Sequence, residues 1–167
     1  THSDKVGSMD SVLIFNLYVE IPEGKPDAGY EYEGPIEHMP RNISPASIIG
    51  LKGHPITHVT LKNVVINHPG AGKPEIAKVG ITPEELDKVP ELADSYPEFS
   101  CFKELPAWGL YLRHVEGIAL ENVTFIARKR DYRPAIVLDD AHHVNMSKMT
   151  IQEAVKKKQQ IHIYQST

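Results

Sequence analysis

The chain has a single cysteine among 167 residues. Cys101 alone forms no internal disulfide framework and no Cys-rich zinc site. An excess of positive charge is also lacking: 18 Lys and Arg stand against 22 Asp and Glu, a net charge of -4. That balance argues against a nucleic-acid binder that works by neutralising phosphates. No run of 18 or more apolar residues occurs, so no membrane-spanning helix is expected. No signal peptide heads the sequence. Thr1 opens a polar stretch, so any targeting segment is expected to be missing already.

What is present is ordinary globular material, 41% hydrophobic and 24% charged, with enough length for one domain and a real core. Thirteen Pro and eleven Gly make it turn-rich, with few places for long helices.

Four segments share one pattern: VLIFNLYV at 12–19, VTLKNVVI at 59–66, IALENVTF at 118–125 and VNMSKMTI at 144–151. Each reads apolar-x-apolar-x-Asn-apolar-x-apolar, with Lys148 the one departure from Asn. Period-two alternation predicts strands. The phase slips by one residue at the Asn, so strict alternation would turn the second half outward. A tight bend there keeps both halves facing in, and Asn tolerates the left-handed conformation the bend requires. Stacked Asn side chains are also expected to bond to one another.

A second column comprises Ile49-Gly-Leu51, Leu110-Tyr-Leu112, Ile136-Val-Leu138 and Ile161-His-Ile163. Leu112 to Leu138 is 26 residues, Leu120 to Met146 is 26, and Leu138 to Ile163 is 25. Two columns advancing together indicate a repeat with about three short strands per turn. The larger gaps place loop insertions at about 22–45 and 69–106. Within the second, Thr82-Pro-Glu-Glu85 predicts a helix start, with Thr82 as N-cap, Pro83 at the first helical position and Glu85 closing a capping box. Pro90 keeps that helix short. The aromatic residues Tyr96, Phe99, Phe102 and Trp108 either pack on the solenoid flank or form a binding surface.

The expected architecture is an all-β, right-handed parallel β-helix of four to five coils. With coils about 4.8 Å apart, it is a stub of roughly 20 Å. Residues 1–167 read as one segment, the C-terminal portion of a longer solenoid. An open edge exposes unpaired backbone groups, so self-association through that edge is a further expectation.

Three stretches carry a family resemblance: GKPDAGYEYEGPIEHMPRNISPASIIGLKGHPITHVTLKNV at 24–64, YPEFSCFKELPAWGLYLRHVEGIALENVTF at 96–125, and DYRPAIVLDD at 131–140. They resemble the C-terminal part of glycoside hydrolase family 28, the polygalacturonase-like pectin-degrading proteins of gut-type bacteria. The resemblance implies a right-handed parallel β-helix, inverting hydrolysis of galacturonic acid linkages, an acidic polysaccharide as partner, and a periplasmic or extracellular location. No cofactor and no metal are expected. The family's catalytic signature is an Asn-Thr-Asp segment, an Asp-Asp pair, a Gly-His-Gly turn and an Arg-Ile-Lys segment, in that order. None stands intact. Gly53-His54-Pro55 lacks the second Gly, and Asp139-Asp140 lies far too late. The chain is therefore expected to begin after the catalytic coils, and no catalytic residue is assigned. The alternative is a non-catalytic carbohydrate-binding or self-assembling β-helical module.

Asp139-Asp140 is a carboxylate pair, the residue type that inverting hydrolysis uses. Adjacent strand residues diverge, however, and Arg113 lies one period before Asp139. An ion pair between stacked coils is the simpler expectation. The weaker alternative is a site built from Asp139, Asp140 and nearby His residues. His54, His58 and His68 span a strand-to-strand turn, so convergence on a metal is not expected, and His142-His143 has the same weakness. Cys101, between Phe99 and Phe102, reads as a buried inert thiol. Tyr30, Tyr32, His38 and Arg41 are the substrate-binding candidates, since aromatic faces stack on sugar rings and Arg reads carboxylates bidentately. Lys156 to Lys158 reads as a solvated turn. Of the sequons at Asn42, Asn122 and Asn145, two fall inside the strand repeat, and they read as accidents of the Asn-bearing pattern.

Overall fold

Strands form where the period-two pattern lies. The computed structural model describes residues 6–23, 44–74, 80–94, 102, 104–155 and 159–167. In chain order the elements are β1 (Asp10–Glu20), β2 (Ala46–Ile49), β3 (Ile56–His68), α1 (Pro83–Leu86), β4 (Leu110–Glu116), β5 (Ala119–Ala127), β6 (Ile136–His142), β7 (Asn145–Ser147), β8 (Thr150–Glu153) and β9 (Ile161–Tyr164). The fold is mostly β, a parallel sheet curled into a half-barrel. Among the described residues no helix is long and apolar enough to cross a membrane.

All nine strands pair in parallel, in two columns. One runs β1, β3, β5, then β7 and β8; the other runs β2, β4, β6, β9. Ile56 opposite Val115 and Thr57 opposite Glu116 join the columns. The register agrees with the repeat arithmetic: Ile14 faces Leu61, Leu61 faces Leu120, Leu112 faces Leu138, and Leu138 faces Ile163.

The bend at the Asn is present. Asn16, Asn63, Asn122 and Lys148 have φ of 53°, 53°, 54° and 52°. Left-handed backbone at one residue lets both halves of β3 face inward: Val59, Leu61, Val64 and Ile66 are all buried. Asn63 Nδ2 donates to Asn16 Oδ1 at 3.0 Å, and Asn122 Nδ2 donates to Asn63 Oδ1 at 2.9 Å. At Lys148 no amide continues the ladder, and the strand divides into β7 and β8.

The second column departs from the sequence reading at its first member. Its strand is Ala46–Ile49, with Ile48 opposite Leu112, three residues before the expected Leu51. Leu51 instead forms a small antiparallel bridge with His54 around Gly53, whose φ is 77°. The turn draws the apolar Leu51 out of the sheet, which periodicity alone does not reveal.

The main core lies within the curl, around Leu112, Leu120, Val123, Phe125 and Ile136. A second cluster on the flank packs Leu86, Val89, Phe102, Leu105 and Ala107 against Tyr111 and Val137. Helix α1 sits there, with Pro83 in its first turn and Glu85 reaching back to the Thr82 N–H at 3.2 Å. Phe102 and Trp108 therefore pack on the body; Tyr96 and Phe99 lie outside the described residues.

Candidate functional site

Among the described residues, a polar constellation forms where β4 and β6 stack. The expected register holds, with Arg113 opposite Asp139. Arg113 Nε lies 3.6 Å from Asp139 Oδ2. The guanidinium also donates to the Leu86 and Val89 carbonyls, at 3.3 and 2.8 Å, and to Glu91 Oε1 at 3.1 Å. It thus ties the α1 region to the sheet. The Tyr111 hydroxyl donates to Asp139 Oδ2 at 2.5 Å. Asp139 is only 4% exposed. Burial pushes its carboxyl above the usual range, and the Tyr111 bond and Arg113 charge offset this only in part.

Asp140 is held in the opposite direction. Its φ of 54° turns it away from the strand alternation. It accepts from His114 Nδ1 at 2.6 Å and from His142 Nε2 at 3.0 Å. Partial burial alone raises its pKa, but these two bonds outweigh that and hold it below the usual range. His114 Nε2 lies 3.1 Å from Arg113 Nε and 3.0 Å from Glu91 Oε1, so both ring nitrogens are engaged. A small cleft of about 190 Å³ opens beside this network, lined by His114, Asp140, His142 and Glu116. That volume is below the usual ligand-pocket range of about 300–1,000 Å³.

Two neighbouring carboxylates pushed apart in pKa suit acid–base chemistry in principle. The geometry assigns them otherwise. Inverting hydrolysis requires both carboxyl groups to reach one substrate. Asp139 is sealed by Tyr111 and Arg113, and Asp140 is bonded to two imidazoles. The pair stitches β6 to β4.

The substrate-binding candidates Tyr30, Tyr32, His38 and Arg41 lie outside the described residues, as do Cys101, Asn42 and Lys156 to Lys158. The three histidines do not converge. His58 Nδ1 bonds Asp10 at 2.6 Å. His54 engages Leu51 through its backbone. His68 is fully buried, with Nε2 donating to the Ser44 carbonyl and Nδ1 accepting from the Gly70 N–H. Among the described residues no group of three or more His, Cys, Asp or Glu side chains is placed to hold a metal ion.

Sequence reasoning missed His114 and Glu91. The 26-residue period that pairs Arg113 with Asp139 also pairs His114 with Asp140, so His114 was within reach. Glu91 sits in an insertion where no periodicity applies. A basic cleft was missed as well, although the run Arg128-Lys-Arg130 signals it. Lys129 and Arg130 line an open cleft of about 930 Å³ together with Lys73 and Tyr132. On the exposed sheet face, Lys62, Asn63, Glu121, Asn122 and Lys148 line a groove of about 290 Å³.

Comparison with family models, curated proteins and solved structures finds no match to the chain.

Proposed function

We propose that these residues form the C-terminal part of a right-handed parallel β-helix of four to five coils, in a pectin-active, polygalacturonase-like glycoside hydrolase. The observation that carries this reading is the parallel stacking at the repeat spacing, with left-handed Asn residues bonded in a ladder. Ile14 and Leu17 add support. They continue the core rows of Leu61 and Val64, yet are 38% and 40% exposed where their partners are 5% and 1%. Another coil stacked on β1 would cover them. The parent is a secreted or periplasmic enzyme acting on acidic polysaccharide, and this segment contributes scaffold and binding surface, not the catalytic carboxylates.

A second reading is a non-catalytic carbohydrate-binding module that self-associates through the β1 edge. Ile14 and Leu17 are equally open to a second copy, which would cover them as another coil would. Incubation of the purified chain with polygalacturonate tests both readings. Retention of the chain by the polymer, with no reducing-sugar release, is expected of both. Reducing-sugar release that disappears in Asp139→Asn overturns them in favour of a site at the Asp pair. Light scattering at micromolar concentration then distinguishes a monomer from a self-associating module.

A further inference from the structure

We propose that the cleft between the turn after β3 and the turn after β5 is a binding site for an anionic saccharide, one bearing carboxylates along its chain. Its described lining includes Lys73, Lys129, Arg130, Tyr132 and no carboxylate. That composition runs against the average of a chain whose acids outnumber its bases, 22 to 18. Lys129 is partly neutralised by Glu23 at 2.6 Å. Lys73 and Arg130 are exposed, and no described residue forms an ion pair with either.

The floor beneath these charges is built rigidly. The Ala71 N–H donates to the Arg130 carbonyl at 3.1 Å, and the Lys129 N–H to the Pro69 carbonyl at 3.0 Å. The backbones approach so closely that a side chain at Gly70, where φ is 70°, would collide with the Lys129 carbonyl. Ala71 is itself left-handed, with φ of 74°. Below, Asp131 accepts from the Gly72 N–H at 2.9 Å and clasps Arg133 through both carboxylate oxygens, at 2.9 and 2.8 Å. Asp131 and Arg133 are 2% and 1% exposed. Two turns that carry exposed cations are thus locked together from underneath.

Tyr132 gives the cleft an aromatic wall. Its hydroxyl donates to Glu104 Oε1 at 2.6 Å, and burial together with that bond pushes its pKa up, so the ring stays neutral and fixed. An aromatic edge beside Arg and Lys matches a sugar ring carrying a carboxylate, with Arg pairing two-pronged and Lys supplying a point charge. About 930 Å³ exceeds what a lone inorganic anion fills and lies in the range of ligand sites.

The test uses the full 167-residue chain in calorimetric titrations. Probes are oligogalacturonate, oligoglucuronate, a neutral galactose oligomer and inorganic phosphate. The comparison protein is Lys73→Ala/Arg130→Ala, whose replaced side chains hold no described bond. Expected results are binding of at least one uronate oligomer, at least tenfold weaker binding in the double variant, weakening with added salt, and no binding of the neutral oligomer. Equal affinity in wild type and double variant overturns the site. Phosphate binding as tightly as the oligomers overturns the saccharide assignment, as does failure of both uronates to bind. Binding of oligoglucuronate but not oligogalacturonate supports the cleft and counts against the pectin reading, so the two ideas fail separately.

Discussion

His68 makes the fold acid-sensitive in a way that a single substitution isolates. The ring is fully buried against Trp108, with centroids 6.0 Å apart. Nδ1 accepts from the Gly70 N–H at 2.9 Å and Nε2 donates to the Ser44 carbonyl at 3.2 Å. Both nitrogens are satisfied as a neutral imidazole, and a second proton would face a donor. Burial, then the charge of Arg133, lowers the pKa from 6.5 to about 4. The unfolded chain takes up a proton near 6.5, while the folded chain resists until about 4. His68 therefore costs no stability well above pH 6.5, and stability falls as pH drops toward 4. At about 1.4 kcal/mol per pH unit, the full gap amounts to roughly 3 kcal/mol, and about 2 kcal/mol of it is lost between pH 7 and pH 5. Urea unfolding of wild type and His68→Gln at both pH values measures it. The variant is less stable at pH 7, because Gln places no acceptor where Nδ1 meets the Gly70 N–H, but its stability is less dependent on pH. Other groups move both proteins alike: Asp131, held low despite its burial, loses stability in acid, and Asp139, pushed up by burial, gains it. Equal loss of stability in the two proteins between pH 7 and pH 5 would refute the reasoning, as would a directly observed His68 titration near 6.5.

Replacing Arg133 with Met strands the buried Asp131 carboxylate and is expected to cost about 3–5 kcal/mol in urea unfolding; adding Asp131→Leu restores part of it. At Asn63, the middle of the ladder, Gly keeps the left-handed bend and loses only side-chain bonds, at about 1 kcal/mol. Val adds the steric cost of the left-handed backbone, another 1–2 kcal/mol or so. A Val variant no less stable than the Gly variant contradicts the bend argument. Leu120→Ala empties a fully buried row position and is expected to cost about 2–5 kcal/mol. Ile14→Ala, on the same row but 38% exposed, costs about 1 kcal/mol or less. Equal losses would mean that Ile14 is covered in solution.

The sequence by itself determined the strands, the spacing of their stacking and the left-handed bends. These depend on local rules: period-two burial, and the steric tolerance of Asn for positive φ. Arg113 opposite Asp139 followed from that spacing, and so did the ladder through Asn16, Asn63 and Asn122. The spacing misled only at Ile49 to Leu51, where the turn around Gly53 removes Leu51 from the sheet. Tertiary structure decided what the polar residues do. Asp139 and Asp140 are neighbours in sequence, but burial beside Tyr111 raises one and two imidazoles lower the other. Glu91 joins them from an insertion, and Lys73 meets Arg130 because two turns remote in sequence pack backbone to backbone. Such meetings depend on where insertions fold back, and no repeat period encodes that.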